Sequence, residues 1–141
     1  YNKYKDKIIL PSDLIIEEGG ERKTVKIDEL EKFNAVTGDI GPETIKHFKE
    51  IMDKCKTIVA NGPPGIFEKE VFRKGTNEMV AAMAEKSDAL TVIGGGEMGT
   101  AAEMTGKADD VSFISTGGGA MLEILSGKDV PMVRALREKK P

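Results

Sequence analysis

The sequence predicts an α/β protein: a three-layer α/β/α, Rossmann-like parallel sheet with a small antiparallel hairpin near the N-terminus. From Thr57 onward, short apolar runs alternate with stretches of helical periodicity, the pattern of parallel βα units with helices on both faces of a sheet. Three of these runs open into loops rich in Gly or Gly/Pro: TIVANGPPG (Thr57 to Gly65), LTVIGGGEMG (Leu90 to Gly99) and VSFISTGGG (Val111 to Gly119). Ahead of them, Gly19-Gly20 separates two β-rich runs, which signals a hairpin.

Composition narrows the function classes. At 141 residues and 39% hydrophobic content the chain suits one domain with one buried core. Charged residues make up 32% and the net charge is −3, so no basic field recommends nucleic acid as a partner. No apolar stretch approaches the length of a membrane span, and no signal-peptide pattern opens the chain. With a lone Cys55 and hence no internal disulfide, the expectation is a cytoplasmic protein. Cys55 has no base or metal partner in view and reads as a passive side chain, as does His47 on the polar side of a helix. The chain starts at Tyr1, not Met, and YNKYKDK leads straight into an apolar run. That start reads as a processed chain or a piece of something longer.

Taken in order, Lys7 to Ile16 (KIILPSDLII) reads as an edge or bent strand, because Pro11 cannot donate to a central ladder. Lys23 to Ile27 returns antiparallel after the Gly19-Gly20 turn, and Asp13 reads as a polar turn or exposed residue, with a catalytic acid as the alternative. Asp28 to Asn34 is a connector. Gly38 to Pro42 punctuates the chain before a helix whose Ile45, Phe48, Ile51 and Met52 share one face, with Pro42 in its first turn and Asp39 placed to cap it. Thr57 to Ala60 is a strand, followed by a loop stiffened by Pro63 and Pro64. A helix from about Glu70 to Glu85 turns Phe72, Met79, Val80 and Met83 inward. Leu90 to Ile93 is the next strand and Thr100 to Met104 a short helix. Val111 to Ser115 is the last strand, and its helix carries Met121, Leu122, Ile124 and Leu125 before stopping at Gly127. Val130 to Lys140 closes the chain with an amphipathic pattern.

In open parallel sheets ligands bind beyond the carboxyl ends of the strands, where all three glycine-rich loops fall. Bare N–H groups in such loops, and the helix N-termini after them, suit an anion and above all phosphate. Gly94 to Gly99 formally matches the dinucleotide pattern G-x-G-x-x-G. That pattern wants an acidic residue at the end of the following strand to hold a ribose, roughly twenty positions on. Here that strand ends Ile114-Ser115-Thr116, with Asp109 and Asp110 at its other end, which disfavours a nicotinamide enzyme.

Three segments together, NGPPGIFE (Asn61 to Glu68), TVIGGGE (Thr91 to Glu97) and FISTGGGAMLEILSGK (Phe113 to Lys128), resemble the C-terminal motifs of phosphoglycerate kinase. GDIGPETI (Gly38 to Ile45) and KIILPSDLII are similar to that family's preceding segments, in the same order. The resemblance implies a two-domain glycolytic enzyme that transfers a phosphoryl group between 1,3-bisphosphoglycerate and Mg-ADP, giving ATP and 3-phosphoglycerate. It implies that residues 1–141 form part of the nucleotide-binding domain. The first half of that domain would lie outside the chain, as would the N-terminal domain that binds 3-phosphoglycerate.

Carried over by position, Glu68 matches the residue that bonds the nucleotide ribose, and Asn61 and Pro63 lie in the same loop. Gly94, Gly95 and Gly96 match the glycines that admit the phosphates. Gly117, Gly118 and Gly119 match the helix N-terminus that stabilises the transferring group. The family commonly has Asp, then Ser or Thr, where this chain has Glu97 and Met98. Glu97 keeps a carboxylate for Mg²⁺, set one methylene further out, whereas Met98 lacks the hydroxyl donor. The resemblance thus implies ATP or ADP and Mg²⁺ as ligands, and little or no activity in this piece alone. The alternatives are a non-catalytic nucleotide-binding or structural module and a dinucleotide oxidoreductase. An incomplete sheet would also leave apolar faces bare and favour self-association.

Overall fold

Two three-stranded sheets, one antiparallel and one parallel, share a helical layer in the computed structural model, which describes residues 1–138. In the first sheet, β1 (Asp13–Glu18) and β2 (Glu21–Lys26) pair antiparallel, with Ile15 opposite Thr24. Their turn is Gly19-Gly20, with φ of 61° and 80°, which only glycine adopts at little cost. The third strand, β3 (Val36–Ile40), lies on the other side of β1 with a register shift at Ile15/Ile16. The sequence predicts no strand there, only a Gly- and Pro-punctuated break.

The strand expected over Lys7 to Ile16 is shorter at its start and longer at its end. Lys5–Lys7 form a 3₁₀ turn, Ile8 to Ser12 pair with nothing in the sheet, and β1 begins two residues after Pro11. Ile8, Ile9 and Leu10 are exposed, so the apolar pattern there is not matched by burial. The expected connector contains a 3₁₀ helix, Ile27–Lys32.

Helix α1 (Pro42–Met52) starts at Pro42 as the sequence predicts. Its cap is not Asp39. Asp13, on β1, accepts from the N–H groups of Glu43 (3.0 Å) and Thr44 (2.8 Å) and from the Thr44 hydroxyl (2.6 Å). The antiparallel pairing of β1 with β3 carries this carboxylate to the helix start from 31 residues away.

The parallel sheet runs β4 (Thr57–Asn61), β5 (Leu90–Gly94), β6 (Phe113–Ser115) in spatial order. Helix α2 (Lys74–Ala84) follows a 3₁₀ turn at Glu70–Phe72, so Phe72 is fully buried from just outside the helix. Helix α3 (Gly96–Met104) begins four residues earlier than periodicity indicates. On one face of the sheet, Ile93 packs with Val80, Met83, Met98, Ala102 and Val111, flanked by Ile58, Ala60 and Ile114. Ile40, Ile45 and Met79 join α1 and α2 to β3. Fully burying side chains of this kind stabilises the fold by about 1.5–3 kcal/mol each.

The opposite face carries α4 (Gly118–Leu125), whose Met121, Ile124 and Leu125 border a hollow with Val92 and Phe113. Both faces therefore bear helices, but unequally: Phe113 remains 60% exposed and Leu125 61%. Helix α5 (Pro131–Glu138) ends the described chain, and the last two residues of the expected terminal pattern lie outside it.

Candidate functional site: the carboxyl edge of the parallel sheet

The strand register brings the three glycine-rich loops level. Asn61 pairs with Gly94 and Gly94 with Ser115, so β4, β5 and β6 end in one line. From there the chain turns sharply. Gly95 has φ of 93° and caps α3, and its N–H donates to the Ser115 carbonyl at 2.8 Å. A Cβ on Gly118 would lie 2.6 Å from Asn61 Oδ1 and 2.9 Å from both Gly95 Cα and Gly95 N. Three loops far apart in sequence thus meet at Asn61, Gly95 and Gly118, and a side chain at position 118 would force them apart.

Two helices start at this junction without side-chain caps. The first intrahelical bonds are Gly99 N–H to Gly95 O (3.0 Å) in α3 and Met121 N–H to Gly117 O (2.9 Å) in α4. The N–H groups of Gly96, Glu97 and Met98, and of Gly118, Gly119 and Ala120, therefore have no partner within their helices. Unpartnered donors and the positive ends of two helix dipoles favour an anion beyond the edge. Glu97 is exposed in the first turn of α3. Met98 is different: its side chain is 1% exposed in the core, so its polar contribution to the edge is its backbone N–H.

The loop after β4 is held from beneath. The Ile66 N–H donates to the Gly38 carbonyl (2.7 Å), and the Gly65 N–H donates to Thr76 Oγ1 (3.3 Å). Arg73 donates through Nε to the Phe67 carbonyl and through Nη2 to the Glu68 carbonyl, both at 3.1 Å. Arg73 and Thr76 carry no signal in the sequence, since no motif links them to a loop upstream. Pinning its carbonyl leaves the Glu68 side chain in solvent. Beside the loop lies a hollow of ≈ 280 Å³, bordered by Thr37, Gly38 and Asp39 on β3 and by Pro63, Gly65 and Ile66. A second hollow of ≈ 350 Å³ flanks β4 and is lined mainly by Met and Ile side chains, with little polar surface to orient a ligand.

Among the described residues no three His, Cys, Asp or Glu side chains gather into a metal cage. Mg²⁺ needs none: one or two carboxylates together with substrate phosphates are its usual donors. The exposed Glu97 carboxylate beside unpartnered N–H groups fits that donor set. A dinucleotide site fits poorly, because β6 ends at Ser115 with no acid, while Asp109 and Asp110 sit in a 3₁₀ turn before the strand.

Residues 1–128 match the family described as phosphoglycerate kinase. The phosphoglycerate kinase of Methanococcus maripaludis is 43% identical over 96% of this chain and 32% of its own length. That of Desulfosudis oleivorans is 45% identical over 97% of this chain and 35% of its own. Among solved structures, phosphoglycerate kinase from Pyrococcus horikoshii superposes with a TM-score of 0.84 at 36% identity, covering 96% of this chain and 34% of that one. The enzyme from Coxiella burnetii gives 0.82 at 36% identity, covering 94% and 36%. The chain spans about a third of the length of the curated relatives it matches. Matching this family over most of its length in sequence and in fold, the chain belongs to the phosphoglycerate kinase family.

Proposed function

We propose that this chain supplies part of the nucleotide site for phosphoryl transfer between 1,3-bisphosphoglycerate and Mg-ADP, giving ATP and 3-phosphoglycerate. The observation that carries the reading is the pair of uncapped helix N-termini meeting at Gly95 and Gly118. In this reading the Gly94–Gly96 segment lets backbone approach the nucleotide phosphates, and the Gly117–Gly119 N–H groups meet the charge that develops on the transferring group. Donors fixed at such a position typically contribute about 3–4 kcal/mol to transition-state stabilisation. Glu97 would hold Mg²⁺, which when bound offsets phosphate charge. Glu68 bonds the ribose hydroxyls, and the hollow between Thr37 and Ile66 takes the base.

The acceptor side lies elsewhere in this reading. The 3-phosphoglycerate site belongs to a domain outside residues 1–141, so the chain alone binds adenine nucleotide weakly and turns over little. Closing an active site against water needs both walls. Titrating the chain with Mg-ADP, Mg-ATP and NAD by calorimetry tests this: heat is expected with the adenine nucleotides and none with NAD. Binding of NAD in preference to ADP would overturn the reading, and 3-phosphoglycerate-dependent ATP turnover by this chain would overturn its catalytic incompleteness.

A further inference from the structure

Two carboxylates are buried where the sheets and helices join, each 2% exposed, and each grips a helix N-terminus across the chain. Asp13 serves α1 through Glu43 and Thr44 and has no hydrogen bond to the nucleotide loop. Asp39 serves α2, accepting the Gly75 N–H at 2.7 Å and its neighbour Ile40's N–H at 2.9 Å. It also lies against the loop: a Cβ on Gly65 would stand 2.5 Å from its Oδ1, and a Cβ on Gly75 would be closer still. Gly65 is therefore seated on the carboxylate, with its own N–H tied to Thr76 one residue along α2 from Gly75. Gly38, next to Asp39 on β3, takes the Ile66 N–H. Among the described residues no cation forms an ion pair with Asp39; Arg22, on β2, attracts it without such contact.

We propose that Asp39 is a positioning residue for the loop Asn61 to Glu68: by fixing the start of α2 and the seat of Gly65 it sets the wall of the hollow beside that loop. The proposal rests on the nucleotide reading of the loop for its functional consequence, but not for its geometry. A buried carboxylate without a cation is an expensive way to cap a helix. Burial pushes the Asp39 carboxyl above its ordinary range in spite of the Gly75 and Ile40 hydrogen bonds and the Arg22 field. Carboxyl groups shifted by burial concentrate at functional sites.

The test compares Asp39→Asn with Asp13→Asn in this chain, reading melting temperature, Mg-ADP affinity and the backbone amide signals of Gly65 and Ile66. Asp39→Asn is expected to weaken Mg-ADP binding at least tenfold and to shift both amide signals. Asp13→Asn, at comparable loss of melting temperature, leaves affinity within twofold and those signals in place. Affinity lost in proportion to melting temperature in both variants, or Gly65 and Ile66 signals unmoved in Asp39→Asn, overturns the proposal. Where wild type binds no Mg-ADP the nucleotide reading fails, yet the amide signals still decide whether Asp39 seats the loop. Should Asp39→Asn not fold, a pH titration of the wild-type chain decides. Gly65, Ile66 and Gly75 amides are expected to move together with the Asp39 carboxyl, whereas movement of Gly75 alone contradicts the proposal. The Asp13 carboxyl is distinguished by its own carbon signal.

Discussion

The two ends of the candidate edge are held in opposite ways. The loop after β4 is tied at four points, through the Gly65 and Ile66 N–H groups and the Phe67 and Glu68 carbonyls, and Phe72 lies fully buried under it. Helix α4, after β6, docks through its first residues: Gly118 against Gly95 and Asn61, and Met121 over Gly94. Beyond these it presents Leu122, Ile124 and Leu125 largely to solvent. One side is fixed by hydrogen bonds from distant elements and the other by a close approach that only glycine permits. Substitutions should therefore hurt the first side through lost packing and the second through added atoms.

The largest effect is expected beneath the tied loop. Phe72→Ala removes a fully buried ring that fills the space a Cβ on Gly38 would need, and should cost about 3–5 kcal/mol, read from urea denaturation. On the other side, Gly118→Ala places a methyl group against the Gly95 backbone. A loss of about 1–3 kcal/mol is expected, with the Gly95 and Asn61 amide signals displaced. Its neighbour is the contrast: nothing lies within 4 Å of a Cβ on Gly119, so Gly119→Ala should instead stabilise by about 0.5–1 kcal/mol. Equal effects of the two substitutions on melting temperature would contradict the close-approach account.

Acid separates the two capping carboxylates. Burial pushes Asp13 up, but hydrogen bonds from the Thr44 hydroxyl, the Thr44 N–H and the Glu43 N–H outweigh it, leaving the carboxyl below its ordinary range. The native state thus binds that proton less tightly than the unfolded chain. Asp13 contributes stability above its unfolded pKa, and this is lost as pH falls through its lower native value. For Asp39 the sign reverses: its contribution is fully present below the unfolded pKa and is lost as pH rises through the raised native value. Melting temperatures measured across the acid range should lose their acid-side decline in Asp13→Asn and become steeper on that side in Asp39→Asn. Asp88, exposed between Lys56 and Lys86 and drawn down to about 2, should matter little and less in salt. The smallest effect on stability is expected at the bare end of α4. Leu125→Glu should change it by no more than about 0.5 kcal/mol, read from urea denaturation.

Local signals carried much of this architecture. The hairpin was legible in Gly19-Gly20 and the parallel units in the alternation from Thr57 onward, because neighbours along the chain decide a turn's backbone or a helix's apolar face. Strand β3 was not, since VTGDI contains Gly and Asp, poor strand formers, and its pairing with β1 alone makes it a strand. Ile8 to Leu10 misled for the reverse reason: an apolar run without a partner strand forms no ladder. The glycine loops of the candidate site stood out because backbone approach demands glycine. Their supports did not. Asp13 and Asp39 act on helices 31 and 36 residues away, and Arg73 reaches back to carbonyls, so no spacing rule connects them. Met98 could not be assigned to core or edge until α3 was known to begin at Gly96.

If the three loops form one phosphate edge, amide mapping during a Mg-ADP titration shows it in a single experiment. Signals of Asn61 to Glu68, Gly94 to Met98 and Gly117 to Ala120 should then move together along one binding curve. Movement confined to a single loop, or centred on the Met-lined hollow beside β4 with the glycine amides still, would contradict it.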